Sequence, residues 1–298
     1  MSAGVPQGSI LGPTLWNVAY DRVLGVDMPD GVETLAYADD LAVILKARDE
    51  TQLQTRANLA MERVAEWMEA RKLALAPEKT EAVLLIDRKK CRPLTQLRLR
   101  SPAIETKKQA KYLGVILDQG LTFAQHIQHA LAKAKKTVTA LARIMPRTRG
   151  AGEGKRRLLA TVATSVALYG APVWSTALRR DRNRKRMATV QRAMAIRVCR
   201  AYRTVNTMGV LLVARQIPWH LLALGRTCRY LDRKQSDVAQ RKTKKERREE
   251  TLSKFQEEWE VETEGGQWSR KIIPNVKTWL GRKFGQVNYH VTQALTGH

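Results

Sequence analysis

The chain has 298 residues, with 53 Lys or Arg against 28 Asp or Glu, a formal charge of +25 and a pI near 10.4. That balance fits a polyanionic partner, and 44% hydrophobic residues supply a core for two or three domains, which excludes a wholly disordered basic tail. Cys91, Cys199 and Cys228 lie far apart, so neither a disulfide framework nor a Cys-x-x-Cys knuckle is written here.

Along the chain, Gly4-Val5-Pro6-Gln7-Gly8-Ser9-Ile10-Leu11-Gly12-Pro13 comes first. Gly8 and Gly12 leave room for another backbone, Pro6 and Pro13 stiffen the path, and Gln7 offers a donor and an acceptor to a base or sugar edge. Alone it reads as a turn into a helix around Leu15 to Val23. No basic leader with an apolar core opens the chain, so the expected setting is intracellular and reducing, nucleus or cytoplasm, and not secreted.

Leu35 to Leu45 reads as two short apolar strands with Asp39 and Asp40 at the tip of a tight hairpin. Two carboxylates fixed there suit hard divalent cations, which take oxygen ligands and bridge phosphates. Adjacent strand residues face opposite ways, so Asp39 is given the direct metal role and Asp40 a supporting one. A bare Asp-Asp pair is more often turn chemistry, so the assignment depends on its context.

Apolar spacing predicts an amphipathic helix over Glu50 to Leu73, broken by Pro77, then strands over Thr80 to Ile86 and Ala110 to Leu117, an α+β layer. After Asp118 the period becomes helical, with Phe123, Ile127, Leu131, Ala134, Val138, Leu141 and Met145 on one face. Further helices are predicted at 155–169, 182–201 and 209–233, the last interrupted near Pro218. The uncharged stretch from Leu158 to Trp174 is short of a bilayer span and reads as a buried helix. A charged stretch, 236–264, ends in Gly265-Gly266 as a connector-like boundary.

Charge is divided along the chain: residues 1–87 carry 8 basic and 14 acidic side chains, a net of −6, and residues 88–298 carry 45 and 14, a net of +31. The densest stretch, Leu178 to Arg203, holds ten basic residues against Asp181 alone, and Arg182, Arg184 and Arg186 in it are assigned to phosphate contact. The later run Arg241 to Glu250 mixes signs and reads as a solvated face. His126 and His129 read as a solvated pair, Trp174 and Trp219 as core, and Tyr202 as packing rather than base stacking.

The glycine-proline segment and Tyr37-Ala38-Asp39-Asp40 together resemble motifs B and C of the reverse transcriptases of non-LTR retrotransposons. Pro77-Glu78-Lys79-Thr80 resembles motif D, whose lysine is thought to assist pyrophosphate departure, and Lys111-Tyr112-Leu113-Gly114-Val115 resembles the primer-grip motif E. Leu15-Trp16-Asn17, Gln191-Arg192, and the ending from Val287-Asn288-Tyr289 to Gly297-His298 are similar to the arthropod type-one clade that inserts into ribosomal DNA.

The resemblance implies an α+β fold, with the C-terminal part of a palm over 1–118, a helical basic thumb over 119–235, a charged connector over 236–266 and a C-terminal helical segment over 267–298. It implies an RNA-directed DNA polymerase using two Mg²⁺ ions for target-primed cDNA synthesis. The partners would be an RNA template, a DNA primer, deoxynucleotides and RNA–DNA hybrid, with no membrane; the oligomeric state is open. Asp39 and Asp40 would hold metal and, with Lys79, carry catalysis. Pro6, Gln7, Gly8, Ser9, Tyr37, Gly114, Arg182, Arg184 and Arg186 would contact substrate or template-primer. The chain starts inside motif B, so motif A and the fingers are expected to lie outside it, and the piece alone to be inactive. An endonuclease is expected elsewhere in the parent polyprotein, and a Cys/His knuckle beyond His298. The competing reading is a non-catalytic nucleic-acid binder, either a defective copy or a domesticated thumb.

Overall fold

The computed structural model describes residues 8–85, 104–237, 241–261 and 265–298. They form a mixed, helix-rich α+β chain in two compact units, Met1–Leu121 and Thr122–His298.

In the first unit, the Ser9 carbonyl accepts from the Gly12 amide at 3.2 Å and leads into α1 (Gly12–Asp21). Pro13 is tolerated because the first amides of a helix have no partner within it. The acidic hairpin forms as expected: β1 (Val32–Tyr37) pairs antiparallel with β2 (Asp40–Leu45), in register from Val32↔Leu45 to Tyr37↔Asp40. Next comes α2 (Glu50–Glu69), whose N-terminus is capped by the Asp49 carboxylate accepting from the Gln52 amide at 2.8 Å.

Pro77 does not end α2. The helix stops earlier, where Lys72 takes a φ of 58° and the Leu73 amide turns back to Met68 O, a left-handed closure that needs no proline. Pro77 opens a 3-10 turn over Pro77–Lys79 instead. Tyr20, Val23, Val64 and Met68 form the core of this unit, with Trp16, Ala36, Leu41 and Trp67 packed around it.

The strand expected over Thr80 to Ile86 is β3 (Ala82–Val83), parallel to β4 (Thr106–Lys107); Ile86 lies outside the described residues. The single strand expected over Ala110 to Leu117 is a hairpin, β5 (Gln109–Tyr112) and β6 (Val115–Asp118). Leu113 and Gly114 have φ of 44° and 81°, the paired positive values of a two-residue hairpin turn. Leu113 in the turn made the apolar run look continuous.

The second unit is helical throughout its described residues. Here α3 (Ala124–Ile144), α4 (Glu153–Ala167) and α6 (Asp181–Cys199) pack mutually, with α5 (Ala171–Trp174) and a 3-10 turn between the last two. Then α7 (Thr207–Val213) and α8 (Trp219–Lys234) flank the break at Pro218. The Gln191 amide spans that break, accepting from the Trp219 amide at 2.7 Å and donating to Ile217 O at 2.9 Å. Trp174 and Trp219 are buried, as expected. His126 is not solvated: it is buried against Trp174, with its pKa held below the ordinary histidine value first by burial and then by His129, which is exposed.

No single helix among the described residues is long and apolar enough to cross a membrane. Only α4 together with the segment Ala171–Arg179 has that length and composition, and the pair is bent by 53°. Its small residues Ala160, Ala163 and Ala167, and Trp174, are buried.

Within the stretch read as connector-like lies α9 (Lys244–Val261), which packs on α8 and on α11 (Val276–Gly281). The run from Arg241 to Glu250 is mostly exposed, as expected of a solvated face, but some of its charges are paired: Arg247 forks onto the buried Asp232 carboxylate, with Nε to Oδ2 at 2.6 Å, and Glu250 accepts from both Arg247 and Lys242. Phe255 and Trp259 are fully buried, and the Trp259 indole donates to Ile273 O at 2.9 Å. The chain ends in α10 (Gln267–Ile272), α11 and α12 (Tyr289–Thr296).

Two outcomes are expected. Trp259→Ala should destabilise the second unit by about 3–5 kcal/mol in urea titration, the usual range for deleting a buried large aromatic. The Asp232 carboxyl is held below the usual carboxylate range by hydrogen bonds from Arg247. Its stabilisation is therefore complete above the unfolded value of about 3.9 and is lost as pH falls through the lowered folded value. The melting-temperature gap between wild type and Asp232→Asn should be present at neutral pH and close in acid.

Candidate functional site: an acidic turn and a basic helix

The hairpin turn between β1 and β2 is Ala38 and Asp39, with Asp40 opening β2 opposite Tyr37. Ala38 has a φ of 54°, the left-handed value that the first residue of such a turn needs and that glycine usually supplies. For alanine the strain is about 1 kcal/mol. Besides the Tyr37↔Asp40 strand pair, the Trp16 indole, from α1, holds it by donating to Ala38 O at 3.1 Å. Trp16 stacks on Tyr20 at 5.1 Å and Tyr20 meets Trp67 edge-on at 6.1 Å. The Arg71 guanidinium covers the Trp67 ring at 4.1 Å. An aromatic column thus runs from α2 through α1 to the turn.

Asp39 and Asp40 are exposed, and neither has a hydrogen-bond or ion-pair partner among the described residues. Their charge is felt by Tyr20, whose phenol is pushed above its ordinary value first by burial and then by both carboxylates. Two uncompensated carboxylates on a braced turn are a donor set that fits a hard divalent cation. No group of three or more His, Cys, Asp or Glu that could hold a metal stands together among the described residues.

Tyr37 is 66% exposed. Lys79 ends the 3-10 turn with its ammonium exposed, and no hydrogen bond or ion pair joins it to Asp39 or Asp40. Gly8, at φ 86°, and Ser9 lead directly into α1. Pro6 and Gln7 lie outside the described residues. Gly114 is a hairpin-turn residue on the β5–β6 pair rather than a bulge within one strand.

In the second unit the basic stretch separates into two kinds of residue. Arg182, Arg184, Lys185 and Arg186 are exposed on the first turns of α6; Arg184 pairs with Asp181, while Arg182 and Arg186 have no ion-pair partner among the described residues. Arg192 instead donates to Arg203 O and Val205 O, and Arg200 to Arg149 O and Ala151 O, so these two fasten loops. Tyr202 shares a hydroxyl contact with Tyr289 and packs edge-on against it.

Sequence reading missed the role of Trp16, which entered it as part of Leu15-Trp16-Asn17. Its helical position gives no local sign that the indole reaches a carbonyl 22 residues away.

Residues 1–117 match the family described as reverse transcriptase (RNA-dependent DNA polymerase). Along 99% of its length the chain is 28% identical to the Pol polyprotein of type-1 retrotransposable element R1 2 from Nasonia vitripennis, covering 76% of that protein. Over its full length it is 26% identical to the putative 115 kDa protein of element R1DM from Drosophila melanogaster, of which it spans 30%. Over 63% of its length it is 29% identical to the RNA-directed DNA polymerase of mobile element jockey from Drosophila melanogaster, spanning 21% of that protein. No solved structure matches the chain.

The Tyr20 phenol reports on the turn. Asp39→Asn with Asp40→Asn should lower its pKa without restoring the ordinary value, because burial remains, and adding Mg²⁺ to the wild type should lower it as well. Titration of ¹³C-labelled tyrosine by NMR reads both; an unchanged Tyr20 in the double variant contradicts the electrostatic account.

Proposed function

We propose that this chain, whose residues 1–117 match the reverse transcriptase (RNA-dependent DNA polymerase) family, is the polymerase portion of a type-one non-LTR retrotransposon polyprotein. Its reaction would be target-primed cDNA synthesis inside the cell, in nucleus or cytoplasm. The observation that carries this reading is the pair of unpaired carboxylates on a turn braced by Trp16. Residues 1–118 are read as the C-terminal part of a palm, 119–235 as a thumb, 236–266 as a charged connector and 267–298 as a C-terminal segment.

In this reading Asp39 holds the metal directly and Asp40 supports it. When bound, Mg²⁺ supplies acidification of the primer 3′-hydroxyl and neutralises charge on the leaving pyrophosphate. The protein contributes orientation: Trp16 fixes the turn, and Tyr37 offers an open aromatic face beside Asp40. Gly8 and Ser9 contact the template-primer, a role the motif also gives to Pro6 and Gln7, and Gly114 lets a strand come close to the backbone. Lys79 offers a proton or a point charge to the departing pyrophosphate. Arg182, Arg184 and Arg186 contact the phosphates of the RNA–DNA hybrid.

A second reading is a nucleic-acid binder without catalysis, favoured by the carboxylate pair having no third acidic group beside it among the described residues. Primer extension on an RNA template separates the two. Mg²⁺-dependent incorporation that falls to background in Asp39→Ala supports the polymerase. Hybrid binding without incorporation, unaffected by Asp39→Ala, supports the binder. In either case, replacing Arg182, Arg184 and Arg186 by Gln should flatten the salt dependence of hybrid binding, by about one unit of slope for each phosphate that is no longer neutralised. An unchanged slope removes α6 from the interface.

A further inference from the structure

The loop between α11 and α12 presents Phe284 with 86% of its surface exposed. The loop is held at both ends. Arg282 Nε donates to Gly285 O at 3.2 Å while its guanidinium lies 3.5 Å above the Trp279 ring, and the Val287 amide donates to Glu153 Oε2 at 2.6 Å. Gly285, at φ 77°, makes the bend that leaves the phenyl ring outside. A phenyl ring has only two side-chain torsions to fix on meeting a flat partner.

The start of this loop is cationic: Arg282 and Lys283 precede Phe284, and Arg215 Nη2 donates to Leu280 O and Arg282 O at 2.8 Å each. Arg157 and Arg282 are both held below the usual arginine range, first by burial and then, in part, by the charge of Arg215 close to each. One carboxylate faces them, Glu153, 3.8 Å from Arg282 Nη2. Arg157 has no hydrogen-bond or ion-pair partner among the described residues, and Lys283, exposed next to Phe284, adds a further charge. Four cations answered by a single acid leave an excess that a polyanion would neutralise.

We propose that Phe284 and these cations form a binding site for single-stranded nucleic acid, with one base stacked on the phenyl ring and the flanking phosphates against Arg157 and Lys283. Aromatic platforms inside basic grooves bind single strands because an unpaired base has a free face, whereas the bases inside a duplex are already stacked on one another. The site rests on the reading that this chain handles nucleic acid, and not on whether it polymerises.

The test uses the full chain and fluorescein-labelled oligo(U) and oligo(dT) of about twelve nucleotides, within the usual footprint of such sites, beside an RNA–DNA hybrid of the same length. Phe284→Ala is expected to weaken single-strand binding about 10-fold, in the range of one base stack removed, and to leave hybrid binding unchanged; Phe284→Trp should restore it. A weakening confined to oligo(U) identifies the strand as RNA, one confined to oligo(dT) as DNA, and either supports the site. Single-strand binding unchanged in Phe284→Ala overturns it, and a change in sedimentation in its place assigns Phe284 to a protein contact. Equal weakening of hybrid and single strands also overturns it. Absence of all nucleic-acid binding by the wild type would sink the functional reading too, whereas intact hybrid binding with an inert Phe284 sinks only this site.

Discussion

One hydrogen bond, from the Trp16 indole to Ala38 O, ties the acidic turn to α1. The turn it holds combines two unfavourable features, an alanine in the left-handed region and two adjacent carboxylates without counterions. Either would loosen an isolated hairpin, since a two-stranded ribbon is marginal in water. The indole fixes the carbonyl at the point of strain, and the column of Trp16, Tyr20, Trp67 and Arg71 passes the constraint into α2. The acidic tip stays exposed while Tyr20, at the centre of the column, is buried. Position and charge are thus supplied by different elements.

What was legible in the sequence was whatever repeats locally. Alternation around Asp39 and Asp40 marked the hairpin, and the apolar faces marked α2, α3 and α6 at their observed places. What escaped depended on a partner distant in the chain or on a single dihedral angle. The end of α2 is set by a positive φ at Lys72, a residue that ordinarily favours helix, and the split of Ala110 to Leu117 by an apolar residue in a turn. Burial of His126 depends on Trp174, 48 positions on, and Gln191 works by reaching both sides of the Pro218 break. Of the candidate site, the carboxylates were readable from type and spacing; the indole brace was not.

Charge shows the same difference between inventory and use. A count gives one basic stretch from Leu178 to Arg203, yet the exposed cations gather on the first turns of α6, and those further along fasten loops. The mixed run from Arg241 to Glu250 looked like an ordinary wet surface, but it pins α9 to α8 through Asp232. Ion pairs of this kind contribute little when exposed and more where one partner is buried.

Arg156 carries that distinction furthest. Fully buried, it directs its guanidinium to the carbonyls of Pro146, Arg149, Ala151 and Arg197, and so gathers the α3–α4 loop and the end of α6 around one planar fork. A lysine there would keep the formal charge and still fail, because a single ammonium cannot reach four acceptors arranged about a plane. At Arg156, Arg192 and Arg200, then, arginine is a building material whose geometry matters more than its charge. Two chains with the same pI can differ in whether they fold.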